Sequence, residues 1–184
     1  MQLWSRDEAT TRAIGAAVAG VLGPGDVVGL SGDLGAGKTR LVQGAADALG
    51  AEGPVLSPTF MLVREYDGDP PVHHVDAYRL SGPLELEDLG LEDVLSADAV
   101  VFVEWADRVA AALPESWLEL VLHIRDDDDR EIEVHPHGDS WAARGRHLTA
   151  ALQPFAERHS PGPAGRGSAP ARRSPAPGSR GPRT

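Results

Sequence analysis

The stretch Gly32-Asp33-Leu34-Gly35-Ala36-Gly37-Lys38-Thr39 matches the pattern G-x-x-x-x-G-K-[ST] of the Walker A loop. An apolar run at 26–31 precedes this loop and predicts a buried strand. Apolar side chains recur at helical spacing over 40–49 and predict a helix after it. In this strand–loop–helix context, peptide N–H groups of the loop and of the first helical turn can surround a phosphate. The stretch therefore predicts nucleotide binding.

The loop also contains the only lysine of the chain, since sixteen of its 17 Lys and Arg residues are arginines. A thin ammonium stem can enter a tight phosphate-binding loop, whereas a broad planar guanidinium usually cannot. We therefore expect Lys38 to neutralise the β- and γ-phosphates of a nucleotide. The peptide N–H groups of residues 34–39 would contact the β-phosphate, and the Thr39 hydroxyl would bind Mg²⁺.

The rest of the first 156 residues predicts an α/β protein with the three-layer fold of P-loop NTPases. Its central sheet should be mostly parallel, with antiparallel strands at the edges. We predict one hairpin from strands at 60–66 and 72–76, and a second from strands at 117–124 and 131–135. The apolar run at 99–104 predicts a central strand. Helices are predicted after a capping box at Ser5, over 84–95 with a break at Gly90, and over 141–155.

Two carboxylates end predicted strands and are candidates for the chemistry. Glu104 ends the run at 99–104 in the position of a Walker B acid, and Asp76 ends the strand at 72–76. The alternative is that each carboxylate caps the next helix. His73 and His74 are adjacent on a strand and must face opposite sides, so they cannot chelate one metal together. His74 shares the face of Asp76, where a structural role and a role in supporting the site both remain open.

Composition and charge divide the chain into two predicted parts. A P-loop domain is predicted over 1–156, and a disordered tail rich in Pro, Gly, Ser and Arg over 157–184. The charge is −11 overall, and residues 155–184 contribute +5 because they hold six arginines and one acid, which leaves −16 on 1–154. An acidic body disfavours direct RNA binding. The chain has no cysteine, no signal-peptide pattern and no long apolar run, so we expect a cytoplasmic protein without a membrane partner.

Missing residue types narrow the class of nucleotide. The usual guanine-binding motif needs an asparagine or threonine beside a lysine and then an aspartate. The chain has no asparagine and no second lysine, which points to ATP. Small-molecule kinases carry arginines in a lid, whereas residues 77–95 contain only Arg79.

Four segments occur in an order that closely resembles the TsaE (YjeE) family. They are the loop at 32–39, Ser57-Pro58-Thr59-Phe60, His74-Val75-Asp76-Ala77-Tyr78-Arg79-Leu80, and Val103-Glu104-Trp105. The resemblance covers about residues 5–150. It implies an ATPase of low intrinsic activity that acts with the transferase TsaD and its paralogue TsaB. These proteins attach the threonylcarbamoyl group to adenosine 37 of tRNAs that read ANN codons, and tRNA would be contacted only through the complex.

The resemblance also implies roles for individual residues. Thr39 and Glu104 are the implied Mg²⁺ ligands, and Asp76 is the implied catalytic or water-positioning carboxylate, acting with Lys38. The segment 57–60 is the implied switch loop that senses the γ-phosphate. The full set implied to contact the nucleotide is Thr11, Asp33, Leu34, Gly35, Ala36, Gly37, Lys38, Thr39, Arg40, Ser57, Thr59 and Arg130.

Three functions stay open on the sequence alone. The first is an ATPase whose hydrolysis resets a tRNA-modifying complex. The second is a binding module whose docking is controlled by the bound nucleotide, with incidental hydrolysis. The third is a small-molecule kinase.

Overall fold

The computed structural model describes residues 1–58, 61–88, 90, 94, 95, 98–126 and 128–156. Its strands are β1 (Gln2–Ser5), β2 (Val27–Gly32), β3 (Val63–Tyr66), β4 (Val72–Asp76), β5 (Val100–Glu104), β6 (Leu118–Ile124) and β7 (Arg130–Pro136). Its helices are α1 (Glu8–Ala19), α2 (Lys38–Ala48), α3 (Pro83–Asp88) and α4 (Asp139–Leu152). Short 3₁₀ turns follow β5 at Ala106–Arg108 and Ala110–Ala112, and another follows α4 at Gln153–Phe155. Thr59, Phe60 and the predicted tail at 157–184 lie outside the described residues.

The seven strands form one sheet in the order β1-β7-β6-β2-β5-β4-β3. The neighbours β6, β2, β5 and β4 run parallel, whereas β1, β7 and β3 are antiparallel to their neighbours. Strands β2 and β5 lie inside the sheet, and nearly all of their residues are buried, as the unbroken apolar runs predicted. Both predicted hairpins are present, so the predicted α/β fold class is confirmed.

Helices and 3₁₀ turns pack on the two faces of the sheet, and each face has its own hydrophobic cluster. Helices α1, α2 and α4 pack on one face, where Phe102 and Trp141 are the largest fully buried side chains. The other face packs against α3 and the 3₁₀ turns after β5, with Trp117 in the cluster. Among the described residues, no helix combines the length and hydrophobicity that a bilayer crossing requires.

The N-terminus differs from the prediction that Ser5 caps the first helix. Ser5 instead ends the edge strand β1, paired with Arg130 of β7, and its hydroxyl contacts the carbonyl of Asp7 and the hydroxyl of Thr11. The cap is Asp7, whose Oδ1 accepts the Thr10 N–H at 2.6 Å. That hydrogen bond also lowers the pKa of Asp7. The local pattern was misleading because the pairing with β7, about 130 residues away, decides the conformation of Ser5.

Two strand boundaries also differ from the prediction. Strand β3 begins at Val63 because Met61 and Leu62 turn back onto the Pro58 carbonyl, with Leu62 in the left-handed region at φ 64°. Strand β7 continues to Pro136, where a loop was predicted. The N–H of Val134 points to Met1, so the nitrogen of Pro136 faces the same side beyond the end of β1, where no ladder bond is lost.

Helices α1 and α2 cross at two glycines, and this contact makes a prediction about stability. A Cβ on Gly44 would lie 2.0 Å from the Arg12 carbonyl oxygen, and one on Gly15 would lie 2.1 Å from that of Leu41. Because backbone cannot yield as a side chain can, we expect Gly44→Ala to lower the free energy of unfolding by about 2–3 kcal/mol. The control is Gly145→Ala in α4, where a Cβ meets nothing within 4 Å. That variant should gain about 0.5–1 kcal/mol.

Urea unfolding of both variants checks this prediction. A Gly44→Ala protein as stable as the wild type would show that the helices can move apart without cost.

Candidate active site

The glycine loop joins β2 to α2 and leaves the first turn of α2 open to an anion. Gly35 and Gly37 have φ of 81° and 103°, values that favour glycine because a Cβ would clash with the backbone. Gly37 directly precedes α2 as its N-cap residue, and among the described residues no side chain caps that end. The peptide N–H groups there are therefore available to a phosphate at the positive end of the helix.

Lys38 lies inside this loop with 4% of its surface exposed. Its Nζ donates to the carbonyl oxygens of Gly32 at 2.6 Å and Asp33 at 2.9 Å. The same ammonium lies 3.7 Å from the centre of the Trp105 ring, a favourable cation–π contact. Burial lowers the pKa of Lys38, and the carboxylates of Glu104 and Asp76 oppose that shift.

The two candidate carboxylates meet at one edge of the sheet. Strands β4 and β5 are parallel, and Asp76 is the register partner of Glu104. Asp76 is 3% exposed and Glu104 is 4% exposed. Carboxyl ends of parallel strands are where ligands bind in open α/β sheets. The glycine loop begins at the same edge, because it follows β2 and β2 is also parallel to β5.

Glu104 and Thr39 form a pair of oxygen ligands suited to Mg²⁺. The Thr39 hydroxyl donates to Glu104 Oε1 at 2.7 Å. Adjacent ligands of an octahedral Mg²⁺ lie about 2.9 Å apart, given metal–oxygen distances of about 2.0–2.1 Å. No group of three or more His, Asp or Glu in the described part of the chain could hold a metal alone. A Mg²⁺ ion that is shared with a nucleotide needs only one or two protein ligands.

Asp76 is fixed from two sides. Its Oδ2 accepts the Ser57 hydroxyl at 2.9 Å, and its Oδ1 accepts the Tyr78 N–H at 3.0 Å. The second hydrogen bond caps the turn after β4. The alternative that Asp76 caps the next helix therefore holds in part, since Asp76 caps a turn there. Glu104 does not cap the 3₁₀ turn at Ala106–Arg108, because the N-cap residue of that turn is Trp105 and no side-chain cap is present there. Asp76 therefore connects the sheet edge to the segment implied to be a switch loop.

Two cavities adjoin the glycine loop. The larger has a volume of about 440 Å³ and is lined by Leu34, Gly35, Gly37, Lys38, Thr39, Arg40, Ser57, Asp76, Tyr78, Glu104 and Trp105. The smaller, of about 250 Å³, is lined by Asp7, Glu8, Thr11, Gly35, Ala36, Gly37, Arg40, Asp128 and Arg130. Together, the two cavities are lined by every described residue that was predicted to contact the nucleotide, except Asp33. The carbonyl of Asp33 binds Lys38. Thr59 is not among the described residues.

An aromatic and cationic cluster beside the larger cavity was not predicted. Tyr78 and Trp105 have ring centres 5.0 Å apart, and the Arg108 guanidinium lies within 5.5 Å of both. Arg108 also donates to the Tyr78 carbonyl at 2.7 Å. Trp105 has φ 61°, a costly conformation for a large side chain. The only sequence signal was that Trp105 directly follows Glu104 and that Tyr78 follows Asp76 by two residues.

The paired histidines face opposite sides of β4, as predicted. His73 Nδ1 lies 2.6 Å from the Val94 carbonyl oxygen. His74 is fully buried, with Nε2 2.9 Å from Glu104 Oε1. His74 therefore touches a candidate metal ligand, and His73 does not share that contact.

The smaller cavity gives a prediction about Arg130. Its guanidinium donates to the carbonyls of Asp126 and Asp129 and lies 3.5 Å from the Gly35 carbonyl, beside the loop. If part of the nucleotide enters this cavity, Arg130→Gln should weaken ADP binding about tenfold, or about 1.4 kcal/mol. Calorimetric titration with ADP measures this, with Arg146→Gln on the exposed surface of α4 as the control. Unchanged affinity in Arg130→Gln would remove the smaller cavity from the nucleotide site.

Comparison with known proteins identifies relatives over most of the chain. The profile of the family described as "TsaE: Threonylcarbamoyl adenosine biosynthesis protein TsaE" matches residues 5–132. A protein of Bacillus subtilis is 45% identical over 132 residues, which is 71% of this chain and 82% of the relative. One of Streptomyces coelicolor is 46% identical over 139 residues, which is 71% of this chain and 93% of the relative. Both are named tRNA threonylcarbamoyladenosine biosynthesis protein TsaE.

A solved structure is also similar. The crystal structure of YdiB from Bacillus subtilis superposes with a TM-score of 0.71 at 34% sequence identity. The match covers 82% of this chain and 94% of that protein.

Proposed function

The chain belongs to the TsaE family, and from this premise we propose that it is an Mg²⁺-dependent ATPase required for threonylcarbamoylation of adenosine 37 in tRNAs that read ANN codons. We further propose that it acts in the cytoplasm with TsaD and TsaB and meets tRNA only through that complex. The pathway is supported by the names of the relatives, which are tRNA threonylcarbamoyladenosine biosynthesis proteins. The strongly acidic body, at −16 over 1–154, supports the indirect contact with tRNA.

One observation carries the proposed ATPase activity. Lys38, Thr39, Asp76 and Glu104 line a single cleft of about 440 Å³ at the open end of the glycine loop. These are the charged and hydroxyl groups that phosphoryl transfer requires: a cation for the phosphates, oxygens for Mg²⁺, and a carboxylate to orient the nucleophile. They come from three separate places, the start of α2 and the ends of β4 and β5, and only the fold brings them together.

Each residue has a distinct part in the proposed reaction. Lys38 balances the negative charge of the β- and γ-phosphates, and the N–H groups at the start of α2 donate to them. Thr39 and Glu104 would hold Mg²⁺, which when bound draws charge from the phosphate oxygens. Asp76 orients the attacking water, and its bond to Ser57 keeps the carboxylate in place until nucleotide arrives. Tyr78 and Trp105 line the same cleft.

The test measures ATP binding and turnover by the purified full chain. Turnover should need Mg²⁺ and should stop in EDTA. A TsaD–TsaB preparation supplied with tRNA and an activated threonylcarbamoyl donor should form threonylcarbamoyladenosine repeatedly only when the chain and ATP are both present. A chain that binds no ATP, or that leaves tRNA modification unchanged, would refute the proposal.

A nucleotide-gated binding module is the second candidate, and one contact favours it. Ser57, in the predicted switch segment, donates directly to Asp76. A nucleotide that draws Asp76 away breaks this bond, so the bound state can be transmitted to the surface without hydrolysis. Leu56 beside it is 51% exposed and Met61 is 64% exposed, so a partner could contact this segment. A variant that binds ATP without hydrolysing it, and still supports repeated modification, would favour the module.

A further inference from the structure

His74 is a buried polar side chain that touches the site without lining the cleft. It is fully buried on β4, two residues before Asp76, and it sits beside Phe102 of β5 in the parallel register. Its Nε2 lies 2.9 Å from Glu104 Oε1, within hydrogen-bond distance. The same Oε1 accepts the Thr39 hydroxyl at 2.7 Å. Two donors thus converge on one oxygen of one carboxylate.

The protonation pattern of His74 follows from its partners. An ionised carboxylate can only accept hydrogen bonds, so Nε2 must carry the hydrogen. In the neutral ring Nδ1 is then an acceptor, and it is buried with no hydrogen-bond partner among the described residues. An unsatisfied buried acceptor usually costs stability. If the histidine served only to fill space, an apolar side chain could do the same without that loss of stability.

What the histidine supplies is a donor at a fixed point. The ring is rigid, and β4 and β5 fix the separation of the two backbones, so the bond restrains rotation of the Glu104 carboxylate. With Oε1 held by His74 and Thr39, Glu104 keeps one orientation before any ligand binds. Partners that orient a metal-binding carboxylate in this way commonly change metal affinity about 10–100-fold when they are removed.

We propose that His74 is a positioning residue that orients Glu104 for the divalent cation. This inference rests on the proposed function, since it concerns the Mg²⁺ that the ATPase would use. It assigns His74 no contact with nucleotide, water or metal. The lack of a hydrogen-bond partner for Nδ1 among the described residues is also explained, because only the hydrogen bond from Nε2 is needed to orient Glu104.

Two amide substitutions separate this role from packing. In His74→Gln the side-chain amide nitrogen reaches about the position of Nε2, so the bond to Glu104 can be kept. In His74→Asn the amide ends near the position of Nδ1 and cannot reach Glu104. We expect His74→Asn to weaken Mn²⁺ binding to the ADP-loaded chain about 10–100-fold. His74→Gln should stay close to the wild type.

The measurement is electron paramagnetic resonance titration of Mn²⁺ into the full chain with ADP. ADP affinity in EDTA is measured in parallel and should be equal in all three proteins, because His74 does not contact the nucleotide. Equal Mn²⁺ affinity in all three proteins would overturn the inference. So would a parallel loss of ADP affinity in EDTA, since it would indicate a general structural role.

A measurement on the wild type keeps the inference testable if the variants do not fold. Long-range ¹H–¹⁵N spectra of the ADP-loaded chain should show His74 protonated on Nε2, with a resonance that shifts when Mg²⁺ is added. An unshifted resonance in a chain that binds Mg²⁺ would overturn the role of His74 and leave the proposed function intact. A wild-type chain that binds neither Mn²⁺ nor Mg²⁺ with ADP would instead refute the proposed function.

Discussion

Lys38→Arg is expected to weaken ATP binding about tenfold to hundredfold, nearly as much as Lys38→Ala. Loss of a charge-assisted hydrogen bond costs about 1.5–3 kcal/mol, which corresponds to that range in affinity. Lys38 is 4% exposed, and its ammonium sits between two loop carbonyls and the Trp105 ring, 3.7 Å from the ring centre. A guanidinium is planar and has no single-atom tip, so it cannot take this place without moving the indole or the loop.

Calorimetric titration of ATP and Mg²⁺ into Lys38→Arg and Lys38→Ala tests this prediction. Arg146→Lys, on the surface of α4, is the control. Arg146→Lys should bind as the wild type does, because Arg146 is exposed and lines neither cavity. If Lys38→Arg also bound ATP as tightly as the wild type, a positive charge at residue 38 would be enough for ATP binding. The presence of one lysine among sixteen arginines would then carry no information about the loop.

The features that were predicted correctly depend on local sequence. The glycine loop is a contiguous pattern, and its glycines are needed for backbone angles that other residues resist. The interior strands β2 and β5 are unbroken apolar runs, which indicate burial on both faces of a sheet. Asp76 and Glu104 were each predicted to end a strand, and both do. That the two are register partners follows only from the parallel pairing of β4 with β5.

The features that were missed depend on contacts between distant parts of the chain. Ser5 looked like a helix cap, but pairing with Arg130 makes it the end of an edge strand. The contact of Lys38 with Trp105 joins residues 67 positions apart, and that of His74 with Glu104 joins residues 30 positions apart. Sequence patterns record periodicity within an element, and side-chain distances between elements follow only from the assembled sheet.

Asp76→Asn and Glu104→Gln are expected to impair the chain in different ways, although the two carboxylates are register partners. Asp76→Asn keeps the shape of the side chain. Its amide oxygen can accept the Tyr78 N–H while its amide N–H donates to the Ser57 hydroxyl oxygen, so ATP and Mg²⁺ should bind nearly as in the wild type. Its turnover should fall about 10²–10⁴-fold, because a neutral amide cannot take a proton from water. Glu104→Gln should instead weaken the binding of Mg²⁺, and turnover should fall because less cation is bound.

Raising the Mg²⁺ concentration distinguishes these two defects. Turnover by Glu104→Gln should recover in part at high Mg²⁺, whereas Asp76→Asn should not respond, since its site already holds the cation. Recovery of Asp76→Asn at high Mg²⁺ would make Asp76 a metal-binding residue and exchange the two roles.

The Asp76→Asn protein also decides between the two candidate functions. It should bind ATP and lose the negative charge that hydrolysis needs, while Lys38, Thr39 and Glu104 are unchanged. If hydrolysis resets the transferase complex, each TsaD–TsaB unit should modify tRNA about once with this variant and then stop. If nucleotide binding alone controls docking, modification should continue through many rounds at the wild-type rate. The number of modified tRNAs per complex therefore separates an ATPase from a nucleotide-gated module in a single time course.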